Sequence, residues 1–380
     1  MTEFFNFDDL TWPEVAGLPR DLPLVLPLGF GYPLSQLADG LGRPQRISLL
    51  PTLPFGWRGS GLEVPEPILA AYVNNLLSSI RDDGFTLVFA LAPQGIDLGP
   101  FSSTIHLHPR QAENGLVFPP DSARGKVILI PIGHTEQHAL HLPLSVDTIS
   151  IDAVAAGTAA AAPEQAYSLP VMPYGVSTHR ASFAATMNAG GRAFEDFWCE
   201  VVNTLSMRGF DRFYLLSGHG GNSSFLVNVI KYMGERHRRI FCATAFLYLS
   251  GPDGIAALEK YRTSKIGGMG HACELETSFM LHLRPDLVHM ERVMDDIDFV
   301  TTPSYYMDWV EGGALVANPP WDDDSVHGAY GAGSHATAEK GRLWLEAAIL
   351  EKLQHVSEIH EQHTRREKRR QEGFGLWGLE

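Results

Sequence analysis

A chain of 380 residues, 44% hydrophobic and 19% charged, has the composition of an ordinary globular protein and the length for two domains. Its formal net charge of −15 argues against nucleic acid as the main partner, because phosphate binding needs a basic face. Three scattered cysteines (Cys199, Cys242, Cys273), no secretory leader in MTEFFNFDDL and no run of eighteen apolar residues predict a cytoplasmic protein without disulfides or a membrane span.

The first hundred residues prefigure the next hundred. LVLPLG (Leu24 to Gly29) is echoed by LIPIG (Leu129 to Gly133), and LLPTLPFG (Leu49 to Gly56) by SLPVMPYG (Ser168 to Gly175). The helical-looking Ala71 to Gly95 is echoed by Trp198 to Gly221, and the offset grows from 104 to 119 to 125 residues along the three matches. Ordered matches with growing offsets predict a duplication with insertions in the later copy. In the first copy Tyr32, Leu34 and Gln94 stand opposite Glu136, His138 and His219, so residues 1–98 are expected to form a partial domain without metal ligands. Residues 99–124, with Pro100, Pro109, Pro119 and Pro120, read as an extended linker in which His106 and His108 are surface residues.

The second copy, residues 125–360, carries the chemistry. A β-branched apolar run, Val127 to Ile132, breaks at Gly133 and delivers Glu136, His138, His141 and Asp147, the mixture of oxygen and nitrogen donors that divalent metals take. His141 is expected outside the ligand set. A helix over Thr148 to Ala162 and the apolar strand SLPVMPYG follow, then a loop with Ser177, His179 and Arg180. A helix from Arg192 to Met207 stops at Gly209. The strand Arg212 to Leu216 runs into SGHGGNSS, where His219 is the only imidazole and Asn222 can cap the next helix. Ligands collect at the carboxyl ends of parallel strands, which puts His219 beside Glu136, His138 and Asp147. GGMGHACELETSFML then offers His271, Glu274 and Glu276; Glu276 is the inward carboxylate and Glu274 a helix-start charge. Thr302 to Trp321, rich in aromatics, glycine and proline, is expected to form a loop over the site, and His327 and His335 are structural or pocket-lining. Ala336 to His355 reads as a helix, and residues 361–380 as a solvated basic tail.

Four strings in order, IPIGHTEQHALHLPLSVDT, LLSGHGGNSS, GHACELETSFML and SVHGAYGAGSHATAEKG, resemble the creatininase family of metal-dependent amidohydrolases, and LTWPEV (Leu10 to Val15) resembles its usual opening. The resemblance implies a three-layer α/β/α fold with a mostly parallel sheet, preceded here by the degenerate half-copy. It implies two divalent ions (Zn, Mn or Fe) on Glu136, His138, Asp147 and His219, with Asp147 bridging and a hydroxide held between the metals. Glu276 matches a family position as a ligand or an orienting residue, and His271 one implicated in substrate contact and proton transfer. A homo-oligomer is implied as well.

Departures from the pattern change the pocket. Creatininase carries a metal-binding glutamate at the position of Gly221, and a tryptophan and an aspartate where Gly267 and Gly268 stand; its FPGT turn is Phe183-Ala184-Ala185-Thr186 here. The expected activity is therefore hydrolysis of a non-peptide C–N bond in a small amide other than creatinine, such as a cyclic amide or formamide. A lactone or short-peptide hydrolase on the same metals is one alternative, and a non-catalytic metal-binding assembly protein is another.

Overall fold

A computed structural model describes residues 1–109, 117–178 and 182–373. Two parallel sheets organise it. The first comprises β1 (Glu3–Asn6), β2 (Leu24–Pro27), β3 (Arg46–Leu49), β4 (Val88–Ala92) and β5 (Ser103–His106), in the order β1-β3-β2-β4-β5. The second comprises β6 (Val127–Ile132), β7 (Ala166–Ser168), β8 (Arg212–Ser217) and β9 (Phe241–Ala245), in the order β7-β6-β8-β9. The order β3-β2-β4-β5 is thus met again in β7-β6-β8-β9. Three short helices and one long one accompany the first sheet's connections to the second: α1 (Trp12–Ala16), α2 (Leu34–Gly40), the long α3 (Glu66–Asp82) and a single turn at Asp121–Ala123.

Strand geometry sends successive side chains to opposite faces, and β6 obeys it residue by residue. Val127 and Leu129 join a core with Ile151 and Val154 of α4 (Val146–Ala161) and with Trp344 and Ala348 of α9 (Ala338–Gln371). Ile128, Ile130 and Ile132 enter a second core with Phe194 and Phe197 of α5 (Gly191–Met207) and Leu226 of α6 (Ser223–Arg236). That second core runs on without a break into Leu24, Leu26 and Leu28 of the first sheet's segment and into Leu69, Tyr72 and Val73 of α3. Helices α3, α5 and α6 therefore fill the space between the two sheets. Helix α2 covers the far face of the first sheet, where Leu37 and Ala38 pack on Val25 and Ile47.

The two units interlock through polar contacts too. The Tyr72 hydroxyl donates to the Tyr174 carbonyl at 2.8 Å, and the Tyr174 hydroxyl donates in turn to the Pro51 carbonyl. Asn75 donates to the Ala189 carbonyl at 2.7 Å. At the start of the chain, the Leu144 amide donates to the Leu10 carbonyl, and the Trp12 indole to the His327 carbonyl at 3.2 Å. The LTWPEV opening thus lies against the second unit.

Two expected boundaries shift. Residues 103–106 are the edge strand β5 of the first sheet, so the stretch 99–124 is only partly a linker: apolar Ile105 has a face of β4 to cover. The basic run after residue 360 is largely helical, because α9 continues to Gln371 with Lys368–Glu372 and Arg370–Glu367 pairs along it. No helix among the described residues is long and apolar enough to cross a membrane. The remaining elements are α7 (Pro252–Tyr261), the antiparallel pair β10 (Met269–His271) and β11 (Tyr330–Gly331), and α8 (Glu274–Leu283), which lies along α9.

Two glycines seat the first turn of α4 on the strand ends. A Cβ on Gly133 would stand 2.5 Å from the Thr148 Cα, and one on Gly218 2.4 Å from the Asp147 carbonyl oxygen. Both obstacles are backbone, so neither can swing away. Gly218→Ala is expected to destabilise the protein by about 1–3 kcal/mol, the usual range for overpacking, in denaturant unfolding followed by circular dichroism. The shared core also predicts one cooperative thermal transition for both units, by calorimetry; two separate transitions would contradict it.

Candidate metal centre

The titratable side chains converge beyond the carboxyl ends of β6 and β8. After Gly133 the chain presents His134, Glu136 and His138 at alternate positions, all fully buried. Asp147 comes from the first turn of α4, His219 from the turn after β8, His271 from the end of β10 and Glu276 from the first turn of α8. Six of these residues form two compact groups, His134 with Glu136 and His219, and His138 with His271 and Glu276, each with its donor atoms within 4.8 Å of one another.

Asp147 joins the groups. Its Oδ1 lies 3.2 Å from His138 Nε2 and its Oδ2 3.2 Å from His219 Nδ1. Glu136 reaches both ways as well, with Oε1 at 3.4 Å from His271 Nδ1 and Oε2 at 3.4 Å from His219 Nε2. The imidazoles stack in pairs, His134 on His219 at 4.4 Å and His138 on His271 at 4.2 Å between ring centres.

Backbone groups decide which ring nitrogen is available. In the neutral ring His138 Nδ1 donates to the Glu136 carbonyl (3.1 Å), which leaves the Nε2 lone pair on the side of Asp147 for a cation or a proton. His219 Nε2 donates to the Val176 carbonyl (3.1 Å), leaving Nδ1 toward Asp147. His271 Nε2 donates to the Gln137 carbonyl (2.7 Å), leaving Nδ1 toward Glu136. The Gln137 side-chain amide also lies 3.2 Å from that Nε2, but two donors cannot share a bond, and the shorter carbonyl contact decides the tautomer. His134 is the reverse case: its Nδ1 accepts the Gly175 amide (2.9 Å), so the neutral ring carries its proton on Nε2, 3.4 Å from Glu136 Oε2. His134 is therefore built to orient a carboxylate.

Burial would push His138 and His219 down, yet the carboxylates around them lift both to about 9. Burial would raise Asp147, but His138 and His219 hold it well below the usual carboxylate range. Burial lifts Glu276 to about 7, and it drives His271 well below the ordinary imidazole value with the help of His138. Protons thus balance the carboxylates here.

The donor set fits divalent cations. Both Glu136 oxygens, His138 Nε2, Asp147 Oδ2 and Glu276 Oε2 are buried without a hydrogen bond, an arrangement that costs several kcal/mol unless a cation completes it. Nitrogen and oxygen ligands about 2.1 Å from one ion stand roughly 3.0–3.4 Å apart at angles of 90–110°, and the pairs His138 Nε2–Asp147 Oδ1 and His219 Nδ1–Asp147 Oδ2 are each 3.2 Å apart.

All six residues expected from the sequence, Glu136, His138, Asp147, His219, His271 and Glu276, meet here. His141 stays outside, bonded through Nε2 to Thr277 Oγ1 at 2.9 Å and depressed to about 4 by burial. Glu274 is buried away from the site, where it receives the Thr263 and Ser264 amides and pairs with Lys340. His335 touches Thr263, and the His327 carbonyl receives the Trp12 indole. His179 and Arg180 lie outside the described residues. Sequence reasoning passed over His134 and Gln137. The available signal was position, since His134 directly follows the glycine that ends a buried strand and alternates with Glu136 and His138.

A Cβ on Gly221 would lie 2.4 Å from the Val176 carbonyl and 2.5 Å from His219 Nε2. No side chain fits there; the carboxylate grouped with His138 and His271 is Glu276 from α8. Above the donors opens a cleft of about 950 Å³, walled in part by the Tyr305–Trp321 loop, with the Trp321 ring centre 4.5 Å from that of His271 and the planes tilted by 47°.

The family pattern named Creatininase, described as creatinine amidohydrolase, matches residues 119–356. A creatinine amidohydrolase of Pseudomonas putida is 28% identical over 236 residues, which cover 59% of this chain and 85% of that protein. A mycofactocin precursor peptide peptidase of Mycolicibacterium smegmatis is 33% identical over 168 residues, covering 42% of this chain and 59% of the peptidase. The solved structure of a manganese form of creatininase superposes with a TM-score of 0.53 at 25% identity, over 64% of this chain and 93% of that one. The α/β architecture, the ordered motifs and the matched span agree: the chain belongs to the creatininase family.

Proposed function

We propose that this protein is a metal-dependent hydrolase of an amide C–N bond, with two divalent ions (Mn, Zn or Fe) held in the centre described above. The observation that carries the reading is the convergence of five buried carboxylate and imidazole atoms, drawn from the turn after β6 and from α4 and α8, none of which has a hydrogen bond. Glu136 and His219 would hold one ion, His138 and Glu276 the other, and Asp147 would serve both through its two oxygens. Bound ions of this kind polarise a carbonyl and bring the pKa of water toward neutrality.

His271 takes a different role in this reading from proton donation. Its only N–H is committed to the Gln137 carbonyl, its Nδ1 lone pair lies 3.4 Å from Glu136 Oε1, and the residue groups with His138 and Glu276, so it serves as a further ligand. His134 orients Glu136. The first unit is read as a ligand-free copy of the second; the repeated strand order supports this, and its contribution is to hold Tyr174 and Ala189 in place. Hydrolysis of peptide bonds stays open as a variant on the same metals, because one relative is a peptide peptidase.

Metal binding separates ligands from orienting residues. Glu276→Gln, His138→Ala and His271→Ala are expected to weaken Zn²⁺ or Mn²⁺ binding by more than about a hundredfold, and His134→Ala by about 10–100-fold, the range of outer-shell partners. Calorimetric titration measures this, and unchanged metal content in Glu276→Gln and His138→Ala would sink the hydrolase reading.

The metal must also displace protons. In the metal-free protein His138 and His219 titrate near 9, above the ordinary 6.5. Their pairing with carboxylates stabilises the metal-free fold fully below pH 6.5, and that contribution is lost as pH rises through 9. Metal affinity runs the other way, climbing between pH 6.5 and 9 by up to about a hundredfold per unit if two protons leave on binding. Titrations in buffers of different ionisation enthalpy count those protons.

A further inference from the structure

Building on the metal-dependent amide hydrolysis proposed above, we propose that the cleft takes an extended, uncharged amide of about the size of a capped dipeptide, bearing an aromatic or branched aliphatic group, in place of a compact cyclic amide. Volume is the first argument. The cleft of about 950 Å³ lies at the upper end of the roughly 300–1,000 Å³ typical of ligand sites, and the metal-binding side chains occupy only its floor. A small ring on that floor would leave the walls wet.

Wall chemistry is the second argument. Phe225, Phe246 and Leu247 line the cleft from the α6 and β9 side, and Tyr305, Trp309 and Trp321 from the long loop. No lysine or arginine is among the described lining residues. The carboxylate above the floor, Asp308, is committed internally: Arg262 reaches its two oxygens at 2.7 and 3.1 Å, and the Gly267 and Val310 amides donate to it at 2.7 and 3.0 Å. These bonds also make the loop a preformed wall. Among the described residues, a substrate's distal part therefore meets aromatic surface and no lysine or arginine.

The rim is the third. Phe246 is 51% exposed, Leu315 60% and Val316 99%, so apolar surface continues from the metal floor out to solvent. Apolar surface of this kind beside a polar floor is gained back when an elongated ligand covers it.

Hydroxamates of increasing length test this by binding alone, since the hydroxamate group chelates the metals where an amide would sit. The metal-loaded protein is titrated with acetohydroxamate, benzohydroxamate and N-acetylphenylalanine hydroxamate. The longest probe is expected to bind at least about tenfold tighter than acetohydroxamate, the gain from burying one aromatic side chain, and tighter than benzohydroxamate. In Phe246→Ala the ratio of the longest to the shortest probe should fall by about tenfold, with an unchanged melting temperature because the side chain is half exposed. Equal affinities for all three on metal-loaded protein, or benzohydroxamate matching the longest, would overturn the extended substrate while leaving the metal-dependent hydrolase standing. Protein that takes up no metal and binds no hydroxamate would overturn both.

Discussion

Asp147 is the contact on which the rest of the structure depends. Its two oxygens stand 3.2 Å from His138 and from His219, so one carboxylate joins the donors of β6's turn to those of β8's turn. It can reach both only because α4 begins directly on the strand ends, where Gly133 and Gly218 have no Cβ to keep the helix away. The carboxylate also lies in the first turn of that helix, where the amide dipoles favour negative charge. Glycine, helix start and carboxylate act together, and the buried apolar strands beneath hold them in place.

The first unit enters the same arrangement from behind. Tyr72 and Pro51 fix Tyr174, and the two residues that follow carry the backbone groups that select tautomers: the Gly175 amide bonds to His134 Nδ1, and the Val176 carbonyl accepts His219 Nε2–H. Val176 is held from the other side by the Asn222 side chain, through its amide at 2.9 Å. The first unit thus acts on the donor cluster through backbone placement.

This division explains what was legible in the sequence. The continuous apolar run at Val127 to Ile132, the glycine after it and the donors that follow expose strand, turn and site together, because both faces of a parallel strand are buried and leave no polar alternation to confuse the pattern. The helix over Arg192 to Met207 was legible for a similar reason, through the spacing of its aromatic face. Less visible were β5, whose four residues at a sheet edge sit in proline-rich surroundings, and the far end of α9, whose charged turns look like a tail until i,i+4 pairs are counted. His134 was hidden by chemistry. A histidine that orients and one that ligates have the same letter, and only the Gly175 amide tells them apart.

The glycine turn after β8 shows how one constraint forces another. His219 presents Nδ1 to Asp147 because the Val176 carbonyl captures its Nε2 proton, and that carbonyl occupies the space a Cβ on residue 221 would need. With the backbone arranged in this way, the turn cannot also supply a carboxylate. In the proposed centre two divalent ions would carry four positive charges against Glu136 and Asp147, and a further carboxylate is called for. Glu276 would supply it from the first turn of α8, where its Oε2 is buried without a hydrogen bond and the residue groups with His138 and His271. Gly220 and Gly221 line the cleft beside these donors and put no side chain into it. The donors converge on one side of the cleft and the aromatic side chains stand on the others, and that aromatic surface is what the extended amide proposed above would cover.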